Sequence, residues 1–317
     1  MPRGGGNWQS FERLDAKPKS HVLHFETLDL FNLVLHPGGS AAGDKSNPSI
    51  ALLTNGLTEE NQPVLAVTRP NQEFFHGQLK YLRDYFDLRV DRLPEIHTQL
   101  GDMLSFYGAI GFLNAQRSKW TMMLLEAVDN ATTTLEMRVK HHFSCPRPID
   151  FTTKVQPVIQ TPSHSSYPSG HATEAFALAT MLAALMSQAE NAQQGLNEQP
   201  MLYRVAERIA VNRTVAGVHF PVDSAHGALL GIAIAEVIIA HCLGGRDIVS
   251  RDVEGSAWTG AGGASSDFTL TELGRVLNAN GTVHGVSPRA NAPLSIAGAG
   301  KGSLLQELWS RAKGEWA

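Results

Sequence analysis

Three short stretches hold the residues best suited to do chemistry. They are Lys140 with Arg147-Pro148, then Pro168-Ser169-Gly170-His171, then Arg213, His219 and Asp223. Together they supply three cations, a hydroxyl, a backbone amide beside a glycine, and two imidazoles. Arg147 and Arg213 present planar forks that match oxyanion edges, and Lys140 adds a point charge. Two histidines add what fixed cations cannot, the exchange of a proton or a bond to a central atom near neutral pH. That inventory suits a tetrahedral or trigonal-bipyramidal oxyanion such as phosphate or vanadate. The expectation is an enzyme built around a bound oxyanion.

Helices must carry these groups. Trp120, Leu124, Ala127, Val128, Ala131, Leu135 and Val139 recur at helical spacing and deliver Lys140 at a helix C-terminal end. Pro146 and Pro148 then stop the helix and hold Arg147 extended. Pro162–Gly170 reads as a loop before a helix from about His171 to Gln188. Ser169 and Gly170 therefore lie at a helix start, where unpaired N–H groups favour an anion and glycine permits close approach. A helix from about Met201 to Ala216 stops at Gly217, placing Arg213 in its last turn and His219 just beyond. Asp223 or Ser224 is expected to N-cap the next helix, which runs to about Leu243. Leu100, Met103, Leu104, Tyr107 and Ile110 mark an earlier helix. Capping boxes at Thr269–Glu272 and Ser303–Gln306 open two later ones. The fold expected is all-α, a helical bundle with the oxyanion site formed by three helix-end or loop segments. Residues 1–72 read as mostly irregular, punctuated by Pro37-Gly38-Gly39 and Asn47-Pro48. Residues 73–250 form the helical catalytic core, and 251–317 a Gly/Ala-rich arm with short helices. In that arm Gly255–Ser266 and Gly281–Lys301 read as linkers.

Composition bounds the rest. Hydrophobic residues make up 43% of the 317 and charged residues 18%, which argues for a core and against disorder. A net charge of -4 gives no sign of nucleic-acid binding, so any cationic site is local. Cys145 and Cys242 are too few for a disulfide framework and are expected as reduced thiols, with Cys145 a packing residue. Met1–Ser10 is polar and Gly-rich, unlike a secretory signal. Ala225–Leu243 is interrupted by Glu236 and His241, and Ala175–Met186 falls short of the roughly 20 residues a span needs. No transmembrane helix is expected, and a cytoplasmic or otherwise soluble location follows from that reading.

The ten positions resemble the three-part signature K-x6-RP, PSGH and SR-x5-H-x3-D. That signature is shared by type 2 phosphatidic acid phosphatases, bacterial class A acid phosphatases and vanadium-dependent haloperoxidases. The departure is Asn212, where the pattern has serine. The resemblance implies that His219 bonds the central atom, vanadium in a haloperoxidase or phosphorus in a phosphatase. Asp223 would accept its other ring N–H. His171 would handle protons on the opposite side, while Lys140, Arg147, Arg213, Ser169 and the Gly170 amide neutralise the equatorial oxygens. The superfamily's helical dimers imply a homodimer.

Two enzyme readings share this site, because vanadate mimics a pentacoordinate phosphoryl group. Ala172-Thr173 after the motif resembles the haloperoxidase continuation, and His164 stands where bromoperoxidases place a second histidine. The expectation is therefore a vanadium-dependent haloperoxidase. Its cofactor is vanadate, and its partners are hydrogen peroxide, halide and a small organic acceptor. The alternative is a soluble phosphatase acting on a phosphate ester through a phosphohistidine at His219, with phosphate in the same site. A non-catalytic oxyanion binder would need only the cations and amides; the two histidines argue against it.

Overall fold

The computed structural model describes residues 8–38, 47–54, 63–260, 263–289, 294–298 and 303–317. The first elements are α1 (Trp8–Glu12), α2 (Ala16–Leu28), β1 (Phe31–His36), β2 (Ser49–Thr54) and β3 (Leu65–Thr68). Then follow α3 (Gln72–Asp84), α4 (Arg89–Thr98), α5 (Leu104–Gly111), α6 (Lys119–Phe143) and α7 (Pro148–Phe151). The centre is built from α8 (Gly170–Ser187), α9 (Ala192–Glu198), α10 (Pro200–Val215) and α11 (Pro221–Cys242). The chain ends with β4 (Gly245–Ile248), β5 (Arg251–Val253), α12 (Leu270–Asn278), β6 (Val286–Pro288), β7 (Leu294–Ala297) and α13 (Leu304–Gly314).

Helices α8 and α11 are apolar all round and buried all round, as helices at the centre of a core must be. Small residues let them meet backbone to backbone. A Cβ at Gly231 would stand 2.9 Å from the Thr173 carbonyl carbon and 3.0 Å from the Ala177 nitrogen. Helix α6 packs one stripe (Leu124, Val128, Leu135 and Val139) onto this pair and ends at Ser144, whose left-handed backbone turns the chain. The helix ends follow local chemistry. Pro200 and Pro221 open α10 and α11, the Ser169 side chain caps α8, and Gly217 (φ +82°) lets the chain leave α10.

The structure is mostly helical, but the all-α expectation is corrected by two sheets. A five-stranded sheet has the order β1-β2-β3-β5-β6, antiparallel except for the parallel pair β3/β5. A two-stranded antiparallel sheet joins β4 to β7. The N-terminal region is likewise not mostly irregular, since two helices and three strands lie within it. The Gly281–Lys301 stretch read as a linker contains β6 and β7. These strands are three to six residues long and flanked by Gly or Pro, so periodicity hardly registers them. Their order comes from partners far away, as in the Leu65 to Arg251 pairing. Met1–Asn7, Gly39 and parts of both linker stretches lie outside the described residues.

Smaller differences have local causes. Leu100 and Met103 precede α5 rather than joining it. Asp223 does not N-cap α11; Phe220 does, and Pro221 takes the first helical position, so Asp223 is the third. Thr269 and Ser303 cap α12 and α13 as expected. Both cysteines are buried and free.

Candidate active site

Arg147 holds the first part of the site together. It is 4% exposed and lies in extended backbone just before α7. Its Nε donates to the His164 carbonyl (3.0 Å), Nη1 to the Val218 carbonyl (2.8 Å) and Nη2 to the Ser165 carbonyl (3.2 Å). Its Nη1 also meets His219 Nε2 at 3.0 Å, and its Nη2 meets His164 Nδ1 at 3.2 Å. The guanidinium therefore ties the Pro162–Gly170 loop to the segment after α10. Lys140 is fully buried one turn before the end of α6, and its Nζ donates to the Pro168 carbonyl.

His219 sits between a cation and a carboxylate. Its Nδ1 lies 3.0 Å from Asp223 Oδ2, which also accepts from the Phe220 N–H (2.9 Å) and Ser166 Oγ (2.7 Å). A proton on Nδ1, donated to Asp223, leaves the Nε2 lone pair facing Arg147. Burial first, then Arg147 and Lys140, hold His219 well below the usual histidine range, so the ring is neutral. Burial raises the Asp223 carboxyl to about 6 against the pull of its donors, leaving it mainly ionised at neutral pH. The N-termini of α8 and α11 are also linked, because the Ser169 N–H donates to the Asp223 carbonyl at 2.9 Å.

On the other side, His171 Nε2 is 3.0 Å from the Gln99 carbonyl. Burial and then Arg213 depress its pKa to about 3, so it too is neutral. Arg213 Nη2 donates to the Ile96 carbonyl (3.2 Å) and to Gln99 Oε1 (2.9 Å). Its Nε and Nη1 are buried without a partner among the described residues. His171 also forms part of the wall of a cleft of about 570 Å³, where Met103, Met122 and Met123 face Asp129 and Glu174.

The charge balance is uneven. Lys140, Arg147 and Arg213 are each no more than 4% exposed, and Arg147 and Arg213 titrate near 10, so both stay charged. The carboxyls acting on them are Asp223, Glu136, Glu174, Asp150 and Glu95. Asp223 is ionised, but burial and Glu174 push Glu136 well above the carboxylate range, so it is neutral. Buried charge without compensation is costly. Buried cations with unpartnered guanidinium N–H groups on Arg213 are chemically able to hold an anion.

Sequence reasoning missed Gln99, Ser166 and Glu136. Glu136 had a signal, standing one helical turn before Lys140 on the same face. A Cβ at Gly170 would collide with its carboxyl, a second reason for glycine there. Gln99 and Ser166 had none. His142 Nε2 lies 2.9 Å from the His36 carbonyl and 3.1 Å from that of Ser49. His164 is exposed, and burial of part of its ring together with Lys140 and Arg147 lowers its pKa.

Residues 118–243 match the PAP2 superfamily, a stretch running from the residue before α6 through α11 and containing all three motifs. No curated protein matches the chain. A solved structure similar in part is "the first transmembrane PAP2 type phosphatidylglycerolphosphate phosphatase from Bacillus subtilis". It is 21% identical with a TM-score of 0.38, over 52% of this chain and 84% of that one.

The expectation of a soluble, cytoplasmic chain without a span is corrected. Helix α11 has 22 residues, and its most apolar 18-residue window has a mean hydropathy of 1.7, long and apolar enough by length and composition to cross a membrane. In this fold 94% of its most apolar window is buried. Glu236 and His241 interrupt that run too little to exclude it.

Proposed function

We propose that this chain is a phosphoesterase that passes a phosphoryl group through His219. The observation that carries the reading is His219 held neutral between the Asp223 carboxylate and Arg147, with Lys140 and Arg213 buried nearby. Asp223 fixes the tautomer, so the Nε2 lone pair is the nucleophile. It attacks phosphorus, the P–N bond forms, and the bond to the ester oxygen breaks. The leaving oxygen takes a proton from His171. Water then attacks phosphorus, giving its proton to His171, and the P–N bond breaks to release phosphate. Lys140, Arg147, Arg213, the Ser169 hydroxyl and the Gly170 amide offset the charge on the phosphoryl oxygens. His171 is neutral in the free protein, and an anion opposing Arg213 raises its pKa, so binding takes up the proton that the leaving group needs. The cleft beside His171 gives the leaving alcohol a place.

Vanadate fits the same donors, the orphaned Nε and Nη1 of Arg213 included. His219 would hold it, with the three cations, Ser169 and Gly170 around its oxygens. Bound there, it supplies the oxidation of halide by hydrogen peroxide. One observation favours this second reading: His164 Nδ1 lies 3.2 Å from the Arg147 guanidinium that meets His219.

A paired assay separates the readings. One arm follows release of nitrophenol from its phosphate ester without vanadate. The other adds orthovanadate, hydrogen peroxide and bromide, and follows bromination of a dione dye. Hydrolysis that vanadate inhibits and His219→Ala abolishes is expected. Bromination that needs vanadate, with no ester hydrolysis, overturns the phosphoesterase reading in favour of the haloperoxidase.

A further inference from the structure

Gln99 is the C-cap of α4, outside the residues that match the superfamily, and it is 1% exposed. Four contacts meet on it. Its main-chain oxygen accepts from His171 Nε2, and its own N–H donates to the Glu95 carbonyl at 3.0 Å. Its Oε1 accepts from Arg213 Nη2 (2.9 Å) and from Asn212 Nδ2 (3.1 Å). Two donors on one oxygen fix the orientation of the carboxamide, because the flipped form would set an NH2 group against both. The Nε2 group is thereby turned away from them, and it is buried with no partner among the described residues. Arg213 Nε and Nη1 are orphaned in the same way. Buried polar groups are rarely left unpaired, and three donors around one Arg–Gln pair ask for an acceptor with several lone pairs.

The residue that departs from the motif explains how Gln99 is held. Asn212 reaches Gln99 with Nδ2 and accepts from Arg92 Nη1 on Oδ1 at 2.9 Å. A serine hydroxyl at that position is too short to bridge Gln99 and Arg92. Asn212, Arg92 and Gln99 thus form one set, and α4 supplies a fourth segment to a site that the motifs draw from three.

We infer that Gln99 is an oxyanion-binding residue, its Nε2 donating beside Arg213 to an oxygen of the bound phosphoryl or vanadate group while Oε1 orients Arg213. This rests on the oxyanion reading of the site. The charge-assisted bonds involved place the effect of losing them at about 10- to 100-fold in affinity.

The test uses the full chain and orthovanadate as the probe. Calorimetry compares the unaltered protein with Gln99→Ala and Gln99→Glu, and thermal unfolding checks that each variant folds. A loss of about 10- to 100-fold is expected for Gln99→Ala. Gln99→Glu, which keeps the acceptor but loses the donor, is expected to bind no better than Gln99→Ala. A spectroscopic readout isolates donation from mere support. The Gln99 side-chain amide signals, identified by their loss in Gln99→Glu, should move downfield when orthovanadate is added to the unaltered chain. Vanadate binding that leaves those signals in place, or equal affinity in Gln99→Ala, overturns this inference and leaves the oxyanion site standing. An unaltered chain that binds no vanadate overturns the oxyanion reading itself.

Discussion

Replacing Gly231 with alanine tests whether the α8–α11 contact sets the geometry of the site. The added Cβ would meet the Thr173 carbonyl carbon at 2.9 Å and the Ala177 nitrogen at 3.0 Å, with the Thr173 carbonyl oxygen closer still. All three are backbone atoms, so no side chain can swing aside. Reaching ordinary contact at that oxygen means moving one helix by more than about 1 Å. Helix α11 carries Asp223 near its start, α8 starts with Gly170 and His171, and the Ser169 to Asp223 hydrogen bond spans the two. Overpacking of this kind costs about 1–3 kcal/mol. At about 2–4 °C per kcal/mol, Tm should fall by roughly 2–12 °C. A misplacement of about 1 Å between His219 and the α8 donors should lower kcat/KM for ester hydrolysis by about 100-fold. Scanning calorimetry and hydrolysis of nitrophenyl phosphate read the two effects separately. Gly77→Ala is the control, a helical position where nothing lies within 4 Å of the added carbon. Should Gly231→Ala keep its Tm within about 1 °C and its activity within about twofold, the helices are not locked by this contact and the argument fails.

Two further outcomes follow from burial. His226 is 1% exposed and bonded to Tyr167 Oη at 2.7 Å, and burial lowers its pKa to about 3. With an unfolded value near 6.5, the unfolded chain binds the extra proton between these limits, so the stability this group supports is full above 6.5 and is lost as pH falls toward 3. At pH 5 that loss is about 2 kcal/mol. In His226→Asn the drop in urea-unfolding free energy from pH 8 to pH 5 should shrink by about that amount; an unchanged drop would show that His226 does not titrate between the two states. The cysteines should be inert. Burial raises Cys145 to about 11 and Cys242 further, so neither should react with a thiol reagent at neutral pH until denaturant is added. Rapid labelling of the native protein would contradict their burial.

Much of the site was legible because the information is local. Helix ends depend on residues within about one turn, so the break at Pro148, the stop at Gly217 and the helix start at Ser169 and Gly170 could be read from their neighbours. The apolar stripe of α6 gave that helix almost to its ends, and with it the place of Lys140. Where local rules competed, the reading slipped: Asp223 looked like a cap, but Pro221 fits the first helical position and moves Asp223 inward, where its carboxylate meets His219, Phe220 and Ser166.

What the sequence determined by itself is the kind and spacing of the groups: three cations, two histidines and a carboxylate at helix-end positions. Only the tertiary structure decided their partners. The approach of Gln99 to His171 and Arg213, and the pairing of β3 with β5, join residues dozens to nearly two hundred positions apart. Contacts at such separations are selected by what the whole chain can bury and pair at once, and no stretch of neighbouring residues encodes them.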